Sequence, residues 1–418
     1  MVTGVTQDTR TLKPGDLYVA VKGEQYNGHD FVADAFAKGA VGALVGDGFQ
    51  WTENPVIQVP DTLAGLQDMA RGYRRTWRGT PVGITGSVGK TTVKEMCADV
   101  LSMKGATHRT GGNYNNHIGL PLTMLSMPSS ARYGVFELGM NRPGEIGMLS
   151  DLLQPKMAIL TDICNAHRAQ FPSLEAIASE KARLAESVPR SGLVILDRDS
   201  EWYALMCQCT HAEVVSVSFE GKADYVGRKV DERIMNVNGA DYTMPLPGEH
   251  IMRNALRVIA LASEIGMAPP EISEGLAKFK APPMRWQMVE LNGIRFINDA
   301  YNANPLSMRA SLSTFSGLPD GGRKWAVVGG MRELGDTAEE EHAALGPFID
   351  GLALDGVIVV GELARSIARE STDAFFHCAD ADQAAIILRE RLHAGDYVLL
   401  KASRGEQLER VLKHFKEM

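Results

Sequence analysis

Residues 81–101 read PVGITGSVGKTTVKEMCADVL, and the fold follows from how this stretch is parsed. Residues 82–85 form a short apolar run of strand character. Gly86, Ser87, Val88, Gly89, Lys90, Thr91 and Thr92 follow at once. Val93, Met96, Cys97, Val100 and Leu101 then recur at the i, i+3, i+4, i+7, i+8 spacing of a helix with one apolar face. Strand, glycine-rich turn and helix start, in that order, form a phosphate-binding loop. Glycines let backbone amides wrap around phosphate oxygens, and the helix start favours negative charge. Lys90 reaches the outer phosphates of ATP, and the Thr91 hydroxyl suits Mg²⁺. Ile84 stands where the commonest form of this motif has glycine. The competing reading is a glycine-rich turn that merely contains Lys-Thr; the register with strand and helix argues against it.

Outward from the loop, short apolar runs alternate with helical patterns. Runs at 135–138, 158–163 and 193–196 predict a mainly parallel sheet covered by helices. Before it, Leu17, Val19 and Val21 alternate as in a strand. Residues 30–38 read as a helix closed by Gly39, and the runs 41–45 and 56–59 as further strands. Arg74, Arg75, Trp77, Arg78 and Gly79, ahead of Pro81, read as a linker. Pro282-Pro283 marks a second boundary. Beyond it, runs at 295–298, 325–328, 357–360 and 398–400 predict a separate Rossmann-like unit. The fold class is therefore α/β in three domains: 1–78, a central phosphate-loop domain at 79–282, and 283–418.

Composition narrows the function. The chain has 418 residues, 44% of them hydrophobic, and a net charge of -8. Such a charge excludes a general nucleic-acid or membrane-surface role. No apolar run approaches the ~20 residues that span a bilayer, and no apolar signal core opens the chain. Cys207 and Cys209 have no second pair to complete a zinc site, and all five cysteines read as reduced thiols of a cytoplasmic protein.

Further segments carry a resemblance. TQDTRTLKPGDLYVAVKG (6–23), NNHIGLPLT (115–123), FELGMNRPGEI (136–146), NDAYNANP (298–305) and KASR (401–404) stand in order along nearly the whole chain. With TGSVGKTT they resemble the Mur ligases, ATP-dependent amide-forming enzymes of bacterial peptidoglycan synthesis, and among these the member that adds D-alanyl-D-alanine. The resemblance implies a UDP-muramoyl peptide and D-alanyl-D-alanine as small-molecule substrates, with ATP and Mg²⁺ as cofactors. It also implies a cytoplasmic chain acting as a monomer without nucleic-acid partner or membrane insertion. The first domain would hold the UDP-substrate and be shortened at its start by about twenty residues, one strand and one helix; the third would hold the amine. Three local departures are Asp162 after Thr161, where the family has asparagine, Ile251 after His250, again for asparagine, and Gly330 before Met331, for aspartate. Alternatives are a related Mur-type or folylpolyglutamate-type ligase with another acceptor, or a nucleotide-binding homologue with impaired catalysis.

The chemistry gathers three anions: ATP, a carboxylate and the phosphoryl group in transit, so metal ions and fixed cations are required. Glu137 ends an apolar strand, where a carboxylate faces the ligand crevice of an α/β sheet. By resemblance Thr91, Glu137, His167 and Lys181 serve Mg²⁺, Lys181 as a carbamate. Without the resemblance, Lys181 reads as an exposed helix lysine paired with Glu180 or Glu186. The resemblance also gives nucleotide contacts to Asn254, at a loop entering a helix, to Arg285 over the phosphates, and to Asp299 at the ribose. Tyr301, Asn302 and Asn304 continue that wall. Asn116, beside Asn115, orients the acyl phosphate or its metal ion; an Asn-rich turn is the alternative. Thr9, Arg10 and Lys22 are assigned to uracil and diphosphate, and Lys401, Ser403 and Arg404 to the dipeptide carboxylate.

Overall fold

The computed structural model describes residues 2–23, 25–164, 170–319, 321–352, 354–369 and 375–417. Among them stand three sheets, one in each part of the chain. The first has four parallel strands, Gly4–Thr6, Asp16–Val19, Gly42–Gly46 and Val56–Val59, in sequence order. Asp16–Val19 is buried at every position rather than at alternate ones. Tyr18, Ala43 and Val45 pack on Val32 and Ala35, while Val19 and Leu44 meet Leu66 and Leu122. Both faces are therefore covered, and Leu122 comes from the central part of the chain.

The presumed linker is instead a rigid joint. The helix Thr62–Thr76, capped by Asp61, runs through Arg74 and Arg75. Arg74 donates from Nε to the Leu153 carbonyl at 2.7 Å and from Nη2 to Gln154 at 2.9 Å. These are the free carbonyls at the end of the helix Glu145–Leu153, where a cation is favoured. Trp77 is 4% exposed and donates Nε1–H to the Ala131 carbonyl at 2.8 Å. A basic, glycine-bounded run reads as linker in sequence because the groups that satisfy it lie some eighty positions away.

The central sheet holds nine strands. Thr80–Thr85 lies between Tyr133–Glu137 and Met157–Leu160, parallel to both. Thr107–Arg109 flanks the former, and Leu193–Asp197, Glu213–Ser218 and Tyr225–Lys229 extend the latter side in parallel. Two antiparallel strands, Ile234–Val237 and Ala240–Thr243, complete that edge. The chain thus leaves Thr80–Thr85 in opposite directions, and the crevice beyond such a switch point is where ligands bind in open α/β sheets. The four strands beyond Leu193–Asp197 each carry polar residues among the apolar ones, so none of them was legible as an apolar run. Val93, Met96, Cys97, Val100 and Leu101 are all fully buried, as the helical spacing predicted.

The third sheet has six strands, ordered Gln287–Leu291, Ile294–Asn298, Tyr397–Lys401, Lys324–Gly329, Gly356–Val360 and Phe375–Cys378. Only the first pair is antiparallel, turned by Asn292 and Gly293 at φ 53 and 75°, the Asn-Gly hairpin geometry. No helix among the described residues is long and apolar enough to cross a membrane.

Replacing Trp77 with alanine removes a buried ring and leaves the Ala131 carbonyl unpaired. The expected cost is about 3–5 kcal/mol, read as a lowered midpoint in chemical or thermal unfolding.

Candidate active site

The phosphate loop leaves the sheet at Thr85 and turns into the helix Lys90–Ser102. Gly86 faces Thr161 so closely that a Cβ there would overlap the threonine Oγ1. Thr161 Oγ1 in turn donates to the Val88 carbonyl at 2.5 Å, and the Asp162 carbonyl accepts from Ser87 N at 2.7 Å. Gly89 has φ 85°, and a Cβ on it would lie 2.5 Å from Asn254 Oδ1. The loop is thus held on one side by residues after Met157–Leu160 and on the other by the helix Glu249–Glu264. A loop that admits no Cβ at two positions, opening onto a helix start, fits the phosphates of a nucleotide.

Two lysines converge on it. Lys90 Nζ and Lys181 Nζ each donate to the Gly86 carbonyl at 2.8 Å. Lys181 is 1% exposed on the helix Leu174–Glu186. Glu180 accepts from Ile146 N, and Glu186 pairs with Arg183, so neither provides Lys181 with a surface partner. Loss of hydration, then the charge of Lys90, push the Lys181 amine well below the usual lysine range. Loss of hydration also lowers Lys90, opposed by Glu137 and reinforced by Arg285. A neutral amine is therefore available at Lys181.

Glu137 is 3% exposed at the end of Tyr133–Glu137. Its Oε2 accepts from Thr91 Oγ1 and its Oε1 from Asn115 Nδ2, both at 2.8 Å. Its backbone N–H donates to Thr110 Oγ1 at 3.1 Å, and fully buried Lys94 holds the Thr110 carbonyl at 2.7 Å. Asn116 is occupied otherwise: its Oδ1 accepts from Ile118 N and Gly119 N. The residue of this loop that touches Glu137 is Asn115. Among the described residues no group of three or more His, Cys, Asp and Glu stands ready to hold a metal. Mg²⁺ needs fewer, since it keeps waters and takes phosphate oxygens, and the adjacent Thr91 and Glu137 are the hard oxygen donors it prefers. His167 lies outside the described residues.

The third part of the chain brings up the opposite wall. Arg285 sits between Met284 and Trp286, whose φ values of 61 and 54° are uncommon for non-glycine residues, and its guanidinium stacks 4.1 Å from the Tyr301 ring. Asp299 accepts from Trp286 N at 3.0 Å and Ser311 Oγ at 2.5 Å, and pairs with Lys401 at 2.9 Å. Lys401 also donates to the Asn302 carbonyl at 2.7 Å and is 4% exposed. Its structural surroundings are thus the Asp299–Asn302 turn, not an open subsite. Asn304 caps the helix Pro305–Ser316, and Asn302 Oδ1 accepts from Ala303 N. Ser403 is 3% exposed and accepts from Arg332 N at 2.9 Å, while Arg404 is exposed and pairs with Glu409. Asn254, expected at a helix entrance, lies within the helix and is buried at 4%. In the first part of the chain Arg10 forks onto Asp8 and is 86% exposed, Thr9 bonds Asp34, and Lys22 is exposed.

Sequence reasoning did not reach Lys94, Thr110 or Arg257. Lys94 lies one helical turn beyond Lys90 on the same helix, which was its only available signal. All five cysteines are free thiols.

Three family models match the chain: "Mur ligase family, catalytic domain" over 1–74, "Mur ligase middle domain" over 84–262 and "Mur ligase, glutamate ligase domain" over 284–404. A UDP-N-acetylmuramoyl-tripeptide–D-alanyl-D-alanine ligase of Bacillus subtilis is 36% identical, over 99% of this chain and 93% of its own length. Its Escherichia coli counterpart is 33% identical, over 99% and 93%. Among solved structures, MurF from Acinetobacter baumannii matches with a TM-score of 0.91 at 28% identity, covering 100% of this chain and 94% of that one. MurF ligase from Thermotoga maritima in complex with ADP matches with a TM-score of 0.87 at 28% identity, covering 99% and 97%.

Replacing Gly86 with alanine should raise the Kd for ATP by at least about a hundredfold, because the added methyl must displace Thr161 and with it Val88. Equilibrium titration of the folded variant, its circular dichroism unchanged, checks this.

Proposed function

The chain belongs to the Mur ligase family, and we propose that it is the ATP-dependent ligase that joins D-alanyl-D-alanine to UDP-N-acetylmuramoyl-tripeptide in peptidoglycan synthesis. The observation that carries this reading is the convergence of Lys90 and Lys181 on the Gly86 carbonyl, with the Thr91–Glu137 pair alongside. It is supported by the likeness to D-alanyl-D-alanine ligases over 99% of the chain. We assign 1–78 to the UDP-substrate, 79–282 to ATP and 283–418 to the amine. The chain acts as a monomer in the bacterial cytoplasm.

The tripeptide's terminal carboxylate oxygen attacks the γ-phosphorus of ATP. The bond from that phosphorus to the bridging oxygen breaks, ADP leaves and an acyl phosphate remains. The dipeptide's neutral amine then attacks the acyl carbon. The carbon–oxygen bond to phosphate breaks, phosphate leaves, and the new amide nitrogen loses its extra proton. Lys90 leaves the Gly86 carbonyl to neutralise the charge moving between the phosphate oxygens. Glu137 is held by Asn115 and by the Thr110–Lys94 support, so its carboxylate is in place before substrate arrives. Thr91, Glu137, His167 and the carbamate on Lys181 would hold Mg²⁺, which would supply further neutralisation of the phosphates. Arg285 faces the phosphates from the third domain, and Asp299 takes the ribose.

Lys181 carries a carbamate. Its neutral Nζ adds to the carbon of CO₂, a nitrogen–carbon bond forms, and one proton leaves to solvent. Burial favours the neutral amine that this addition needs, and the nearby Lys90 charge favours both that neutral amine and the anion formed from it.

Two measurements test the reading. With ATP and the UDP-tripeptide, D-alanyl-D-alanine should be used at least about tenfold faster than D-alanine or glutamate; a preference for either single amino acid gives the chain to another branch of the family. Intact mass in bicarbonate should exceed the sequence mass by one CO₂ in the native chain and not in K181R, whose turnover should fall by about a hundredfold or more.

A further inference from the structure

Arg257 is among the largest fully buried side chains of the protein, 0% exposed on the helix Glu249–Glu264. Its neighbours on that helix, Ala255, Leu256, Val258 and Ile259, are buried apolar residues. A guanidinium in such surroundings is costly unless it is paired. Its Nη2 donates to Asp162 Oδ1 at 2.5 Å and to Asp197 Oδ2 at 2.7 Å, and Nη1 lies 3.4 Å from Asn254 Oδ1. Its Nε is buried without a hydrogen-bond partner. The arrangement is therefore not optimised for stability alone.

The partners explain what it serves. Leu193–Asp197 runs parallel beside Met157–Leu160, so Asp197 and Asp162 meet at the same end of the sheet. That end carries the phosphate loop. Asp162 also gives its carbonyl to Ser87 N and Val88 N, at 2.7 and 3.3 Å. Asn254 stands directly behind Gly89. One guanidinium thus links both supports of the loop, Asp162 before it and Asn254 behind it. Asp162 is 32% exposed toward this crevice rim and Asp197 10%. Unbalanced, these two carboxylates would set negative charge beside a ligand that is itself an anion. Asp162 stands where the family resemblance leads one to expect a neutral asparagine, so the extra carboxylate and its buried counter-charge occur together in this chain.

We propose that Arg257 is a positioning residue for ATP: it balances Asp162 and Asp197 and fixes the two flanks of the phosphate loop, Asp162 and Asn254. It rests on the reading of residues 86–92 as the ATP site. A point-charge lysine cannot replace it, because Nη2 holds the two carboxylates while Nη1, fixed in the same plane, reaches Asn254.

The test is a double-mutant cycle on the full chain, read as the Kd for ATP by equilibrium titration, with thermal unfolding and the Kd for the UDP-peptide as controls. R257M should weaken ATP by about tenfold or more and leave the UDP-peptide unaffected. D162N alone should weaken ATP binding less than R257M does, since an amide oxygen still accepts from Arg257. The double variant should recover part of what R257M loses, because one of the two unbalanced carboxylates, the one at the loop, is then neutral while Asp197 remains. If R257M does not fold, R257K decides, with a several-fold weaker Kd for ATP at an unfolding midpoint near the native one. Unchanged ATP affinity in the folded variant, or loss of stability with no selective loss of ATP, overturns the proposal. So does a double variant no better than R257M. A native chain that binds no ATP would overturn the ligase reading itself, which separates that failure from this one.

Discussion

The structure turns on one carbonyl. Gly86 O accepts from both Lys90 and Lys181, and residue 86 has no side chain to keep Thr161 away. Two amines sharing one acceptor, in surroundings poor in water, cannot both carry charge cheaply. The pair therefore resolves in two ways. Burial and the Lys90 charge push the Lys181 amine down, the condition that the proposed addition to CO₂ requires. Lys90 keeps the company of Glu137 and is free to turn to an arriving phosphate. The loop, Glu137 and Lys181 thus come together around this one carbonyl.

The support for that contact is built from backbone-directed bonds rather than from the residues that do the chemistry. Thr161 ties Val88, Asp162 ties Ser87, Thr110 ties Glu137, and Lys94 ties Thr110. On the facing wall, Lys401 and Ser403 hold the Asp299–Ala303 turn in the same way. His250 reaches across from the central part of the chain, its ring centroid 6.1 Å from that of Trp286 in an edge-on arrangement. Burial lowers its basicity, which favours the neutral ring in this contact. The two walls are thus joined through packed aromatic groups, with Arg285 between two strained residues at the joint.

What the sequence disclosed follows from range. The loop and its helix were legible because their signals are local: glycines at fixed spacing and an apolar stripe with a period near 3.6. Glu137 was legible because a carboxylate ending an apolar strand is a local pattern too. The role of Lys181 was not, since Leu174–Glu186 reads equally well with an exposed lysine, and only the sheet places Gly86 above it. Arg74 and Trp77 read as part of a linker because their acceptors, Leu153 and Gln154 for the one and Ala131 for the other, are remote in sequence. Asn115 and Asn116 are adjacent, and composition cannot say which of them faces Glu137. Lys401 followed an apolar strand as a binding residue does, yet its partner is Asp299, about a hundred positions earlier.

The central claim is that this loop is the γ-phosphate end of a ligase site, so that the peptide carboxylate is phosphorylated before the amine attacks. Heavy-isotope oxygen placed in the terminal carboxylate of the UDP-tripeptide tests it directly. The account predicts that one labelled oxygen appears in the phosphate released with each amide formed, as read by mass spectrometry. Phosphate carrying no label, alongside labelled amide product, would contradict it.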